Sequence, residues 1–154
     1  MIMRELTVAE VRVSTTGTAP VVVLQEVGGD RLLPIWMSAG GAAAIVSATE
    51  EPELERPGIH DLVAELMTTL GGELDEVRIL DHQEGQFFAA LVVNGTELSC
   101  RPSDAIALAL RAGRPIRCTE EVLAEAGVTP TPDAPEEEVE KFREFLDTVN
   151  PDDF

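Results

Sequence analysis

The strongest constraint on the fold is an order of signals that the chain runs through twice: alternating β-branched segments broken by turns, then helical periodicity. Residues 6–13 (Leu-Thr-Val-Ala-Glu-Val-Arg-Val) alternate as a half-buried strand does, since successive side chains point to opposite faces. Residues 20–25 form a second such segment, Gly28-Gly29-Asp30 signals a hairpin, and residues 31–37 are the third strand. A small-residue helix is predicted over 39–49 and an acidic, proline-containing loop over 50–58. An amphipathic helix follows over 59–70, with Ile59, Leu62, Val63, Leu66, Met67 and Leu70 on one face and Gly71-Gly72 closing it.

The order then restarts. Residues 74–80, 87–93 and 96–100 read as strands, with Asn94-Gly95 as the turn between the last two. Residues 105–112 are helical, 115–117 extended and 120–126 helical again. A fixed offset of 66 residues places Val11-Arg12-Val13 on Val77-Arg78-Ile79 and Ser38 on Asp104. The expected fold class is therefore α/β (α+β): a mixed β-sheet core from two β3α2-like repeats with flanking helices, each unit covering an apolar face of the other. Residues 1–128 form the domain and 129–135 a proline-rich linker. Residues 136–154 form an acidic C-terminal helix with Val139, Phe142, Phe145, Leu146 and Val149 as its apolar stripe.

Composition narrows the partners. The formal net charge is −18, and Lys141 is the lone lysine, every other cation being arginine. Nucleic-acid affinity rests largely on neutralising phosphates, so loose binding to duplex DNA is disfavoured while a small arginine-lined site stays open. The core must be aliphatic, because there are five Phe, one Trp and no Tyr. For the same reason no aromatic platform for stacking bases is evident, Trp36 lying in a strand. No apolar run approaches the roughly 20 residues of a membrane helix. Met1-Ile2-Met3-Arg4-Glu5 carries no secretion signal, and Cys100 and Cys118 do not form a metal-ligand spacing. A cytoplasmic protein with two reduced thiols is expected.

Two segments can carry chemistry. In Arg101-Pro102-Ser103-Asp104, Pro102 suits the first helical position, and Ser103 or Asp104 can accept from free N–H groups of the first turn. Arg101 is not explained by capping, because its cation faces the positive end of the helix dipole. It needs a partner, either Asp104 or an external anion. Arg56-Pro57-Gly58-Ile59-His60-Asp61 again sets Arg and Pro before a helix, with an ionisable pair in its first turn. A histidine beside a carboxylate can act as a general base or metal ligand, or simply be exposed. There is no glycine-rich phosphate loop, no His-Glu-x-x-His and no serine nucleophile elbow.

Leu33-Pro34-Ile35-Trp36, Arg56-Pro57-Gly58-Ile59-His60-Asp61-Leu62 and Arg101-Pro102-Ser103-Asp104-Ala105-Ile106-Ala107 resemble the bifunctional nuclease domain family. Phe87-Phe88-Ala89 and Arg114-Pro115-Ile116 match in order and spacing, and the likeness runs from residue 6 to residue 128. The stretch Phe142-Arg143-Glu144-Phe145-Leu146-Asp147 looks like the extension of many bacterial members. The resemblance implies a nuclease hydrolysing phosphodiester bonds of DNA or RNA. His60 with Asp61 would activate water or help hold a metal, Mg²⁺ or Mn²⁺. Arg101 and Arg56 would balance phosphoryl charge, Asp104 would orient Arg101 or ligate the metal, and Ser103 would donate to a phosphate oxygen. The family's usual strand-to-helix turn has Gly at position 38 and Glu at position 41, where this chain has Ser38 and Gly41. That departure keeps a second reading open, a non-catalytic module binding a small anion or a protein. The aliphatic composition and the C-terminal stripe also suit a homodimer.

Overall fold

The computed structural model describes residues 1–13, 19–51 and 54–130. The expected C-terminal helix and most of the linker lie outside the described residues. Among the described residues, seven strands and four helices follow in the order β1 (Met3–Arg12), β2 (Val21–Glu26), β3 (Leu32–Trp36), α1 (Ala39–Glu50), α2 (Ile59–Thr69), β4 (Leu74–Gln83), β5 (Gln86–Val93), β6 (Thr96–Cys100), α3 (Pro102–Ala112), β7 (Ile116–Thr119) and α4 (Glu120–Ala126). The segments with period-two alternation are strands and those with helical period are helices, as their side-chain patterning requires. Two hairpins turn tightly, one at Asn94-Gly95 and one at Glu84-Gly85. Both residues of each turn have positive φ, the backbone twist that two-residue hairpins favour.

All seven strands form one mixed sheet in the order β3-β2-β1-β7-β4-β5-β6. Each triplet is an antiparallel meander, and β7 joins them, antiparallel to β1 (Met3 opposite Thr119) and parallel to β4 (Val77 opposite Ile116). The doubled architecture is thus an α+β fold whose two halves flank a shared strand. The fixed offset of 66 fails at the helix starts: the N-cap residues are Ser38 and Arg101, 63 positions apart. The connection 27–31 is longer than the two-residue turn 94–95, and this difference consumes the missing positions.

One face of the sheet carries the main core. Leu6, Val22, Leu24, Leu33, Ile35, Val77, Ile79 and Ile116 pack with Ala42 and Ile45 of α1 and with Ala105, Ile106 and Ala109 of α3. Small residues let the helices come close. A Cβ placed on Gly41 would stand 2.7 Å from the Ser103 Cβ, so α1 and α3 meet at a contact that a side chain at position 41 would have to displace. Helix α2 packs on α3 through part of its predicted apolar face only. Val63, Ala64 and Met67 turn inward, whereas Ile59, Leu62, Leu66 and Leu70 are exposed. Across the other sheet face runs an ion-pair ladder from Arg117 to Glu76 (3.3 Å), Glu76 to Arg78 (3.0 Å) and Arg78 to Glu97 (2.9 Å).

A cleft at three helix N-termini

Both meanders hand the chain from their third strand into a helix, which brings the starts of α1 and α3 side by side. The start of α2 joins them. Gly40 and Gly41 of α1, Gly58 to Asp61 at α2, and Arg101 and Asp104 at α3 line one cleft of about 360 Å³. Helix N-termini carry partial positive charge, so three gathered at one opening favour an anion there. A Cβ on Gly40 would meet nothing within 4 Å, so this residue leaves backbone open.

Arg101 precedes a proline and is confined to extended backbone, with φ −72° and ψ 146°. It is the N-cap residue of α3, and its side chain caps nothing. Neither Ser103 nor Asp104 serves as the expected cap. Asp104 is occupied on both sides: its Oδ2 accepts from Arg101 Nε at 2.9 Å, and its Oδ1 lies 3.2 Å from His60 Nε2. Burial works to raise the Asp104 carboxyl, but the hydrogen bonds from Arg101 and His60 outweigh it and the net shift is downward. An ionised carboxylate only accepts, so Nε2 carries the His60 proton facing it and Nδ1 is the basic nitrogen.

The carboxylate that meets His60 is therefore Asp104, not its sequence neighbour Asp61. Asp61 accepts the Gly58 N–H at 3.0 Å, closing the first turn of α2, and lies 3.6 Å from Arg111 Nε. Arg111 has no place among the residues singled out from sequence. Its buried guanidinium donates to the Glu51 carbonyl (2.6 Å) and Ser47 Oγ (2.9 Å), fastening the end of α1 and the start of α2 to α3. Its position seven residues after Asp104, on the same helical face, was the available signal. Arg56 is exposed in the preceding loop and does not line the cleft. Ser103 is buried at the α1–α3 contact and lines a neighbouring cleft instead. His82, the other histidine, packs on Phe87 with ring centroids 4.4 Å apart and lines neither cleft.

The donor set does not fit a divalent cation. Among the described residues no three His, Cys, Asp or Glu side chains gather as ligands, and Asp61 and Asp104 are committed to internal partners. The neighbouring cleft has a volume of about 540 Å³. Trp36, Phe87 and Phe88, from two different strands, line it together.

These features define an α+β domain whose helix starts enclose a histidine, a carboxylate and an exposed arginine. The bifunctional nuclease domain matches residues 22–131. An uncharacterized protein of Mycobacterium tuberculosis is 47% identical over 161 residues, covering 99% of this chain and 98% of its own. Bifunctional nuclease 1 of Oryza sativa subsp. japonica is 30% identical over 122 residues, 73% of this chain and 37% of its own. Bifunctional nuclease 1 of Arabidopsis thaliana is 31% identical over 106 residues, 64% and 33% respectively. The chain belongs to the bifunctional nuclease domain family. No helix among the described residues is long and apolar enough to cross a membrane.

Proposed function

We propose that the chain hydrolyses phosphodiester bonds of DNA or RNA at the cleft among the three helix N-termini. The observation that carries this reading is the linked Arg101–Asp104–His60 arrangement at that opening. Asp104 holds the ring so that Nδ1 of His60 can take a proton from an attacking water. Arg101 keeps two guanidinium nitrogens for a phosphoryl oxygen, and the helix starts add fixed positive potential. Asp61 and Arg111 keep the helices in register. Arg56, at the exposed approach, offers a second cation to the entering strand, and Ser103 supports the α3 start. Nuclease relatives support the substrate class, and this chain covers about a third of the plant proteins' length.

Cleavage of single-stranded DNA and RNA, with and without Mg²⁺ or Mn²⁺, tests the reading in wild type, His60→Ala and Arg101→Ala. Loss of cleavage in both variants is expected. Equal activity in all three proteins would indicate contamination and end the proposal.

A second reading, a non-catalytic anion-binding or protein-interaction module, is favoured by Gly41 and by the absence of a cation cage among the described residues. It requires no cleavage together with phosphate binding that Arg101→Ala abolishes. The exposed Ile59, Leu62, Leu66 and Leu70 stripe supports a homodimer, and the free thiols of Cys100 and Cys118 support a cytoplasmic setting. Sedimentation of Leu62→Ser/Leu66→Ser against wild type checks the dimer, which is expected to dissociate.

A further inference from the structure

Among the described residues two carboxylates line the helix-start cleft, and folding has used both. Asp61 closes the first turn of α2 and faces Arg111, while Asp104 takes Arg101 on one oxygen and His60 on the other. Neither keeps the free oxygens that a hard divalent cation collects. What the cleft offers a substrate is one basic ring nitrogen, His60 Nδ1, and the outer nitrogens of the Arg101 guanidinium. Both groups are fixed to the same carboxylate, His60 at 3.2 Å and Arg101 at 2.9 Å, so a base and a cation stand as neighbours across Asp104.

A lone histidine base does little to make water a strong nucleophile, which paired cations do by lowering the proton affinity of a bound water. It suits a diester that carries its own nucleophile. In RNA the 2′-hydroxyl stands beside the phosphorus it can attack, and well-oriented internal attack is equivalent to about 10⁵–10⁸ M of free reactant. We propose that the cleft cleaves RNA through the 2′-hydroxyl and leaves a 2′,3′-cyclic phosphate, with no divalent cation taking part. The inference rests on the hydrolase reading and names its substrate and products. His60 Nδ1 takes the 2′-hydroxyl proton, the 2′-oxygen bonds to phosphorus, and the bond from phosphorus to the 5′-oxygen breaks. The leaving oxygen takes a proton from solvent, and His60 returns its own there. Arg101 donates to the phosphoryl oxygens as charge gathers on them. Water then opens the cyclic phosphate in a slower second step at the same base, which makes the overall reaction a hydrolysis. Asp104 is a positioning residue that turns the ring and the guanidinium toward one phosphodiester.

The test substrate is a single-stranded oligodeoxynucleotide with one internal ribonucleotide, incubated with the full chain in EDTA and, separately, with Mg²⁺ or Mn²⁺. An all-deoxy strand and one with a 2′-O-methyl group at that position are the controls. Cleavage in EDTA is expected only after the ribonucleotide, at least about 10³-fold faster than in either control. By mass, the upstream fragment should end in a cyclic phosphate, one water lighter than the 3′-phosphate, and the downstream fragment should begin with a 5′-hydroxyl. His60→Ala should lower the rate about 10²–10⁴-fold, and added imidazole should restore part of it, a response that a contaminating enzyme would not give. Asp104→Asn should lower kcat more than it raises KM, because an amide no longer requires the proton on Nε2. Equal cleavage of the all-deoxy strand, fragments ending in a 3′-hydroxyl and a 5′-phosphate, or cleavage only with Mg²⁺ or Mn²⁺ overturns the inference and leaves the hydrolase reading standing. A rate unchanged in His60→Ala, or no cleavage of any strand under any of these conditions, removes the hydrolase reading and the inference with it.

Discussion

Arg31 and Arg101 both pair with carboxylates, and the two clusters differ in what they leave over. Arg31 gives every guanidinium nitrogen to Glu26 or Glu120 in four hydrogen bonds of 2.9–3.0 Å, and its side chain is 22% exposed. Glu120 is also held by Arg4 at 2.9 Å. Arg101 gives only its Nε to Asp104 and is 71% exposed. Among the described residues no partner takes its other two nitrogens. The first cluster is closed and ties β1, the end of β2 and α4 together. The second is open and presents donors to whatever enters. The same residue types therefore serve cohesion or recognition according to how many donors remain after folding.

The widest separation between the clusters should come from paired substitutions. Arg101→Ala is expected to lower cleavage about 10²–10³-fold, as loss of a donor to transition-state charge does, with Tm unchanged within about 1 °C. Arg31→Ala should do the reverse, lowering Tm by about 5 °C through stranded Glu26 and Glu120 while activity per folded molecule holds. Assays and melting curves on both proteins check this, and a Tm loss confined to Arg101→Ala would invert the comparison.

The open cluster also rests on the close approach of α1 to α3. Gly41→Ala drives a Cβ against Ser103 and should destabilise the protein by about 1–3 kcal/mol. Combining it with Ser103→Gly should recover most of that loss. A denaturation double-mutant cycle measures the coupling, and strict additivity would show that α1 and α3 do not press together here.

The smallest effect concerns acid. Hydrogen bonds from Arg31 and Arg4 hold the Glu120 carboxyl at about 2, below its usual 4.5. A depressed folded-state value contributes stability that is present above about 4.5 and fades as pH falls toward 2. Tm should therefore decline across that window. In Glu120→Gln the decline should be shallower, from a lower Tm at neutral pH. Parallel pH profiles for the two proteins would remove this carboxylate from the closed cluster's contribution.

Local patterning made the elements legible. Alternation marked the strands, and Asn94-Gly95 marked a hairpin that has the required positive φ. The Glu84-Gly85 turn escaped notice because glutamate is an uncommon occupant of that backbone region. Neighbour relations were not legible. Nothing local at residues 116–119 states that they lie between β1 and β4. The same limit hid the site's partners. His60 stands beside Asp61 in sequence but reaches Asp104 across the α2–α3 contact. Trp36 and Phe88 meet at a cleft although about fifty residues separate them. The apolar face of α2 was correct as a pattern, yet helical period alone does not say how much of a stripe is covered.

The position of β7 has a consequence for how the molecule comes into being. Each meander is built from hairpins that a growing chain can form locally and early. Joining them depends on a strand whose partners Met3 and Val77 were synthesised long before Thr119 and Ile116. Until that last strand emerges, the facing edges of β1 and β4 present unpaired backbone to the cell. Assembly is then governed by one late, long-range closure, and a ribosome pausing before residue 116 would hold two half-sheets apart.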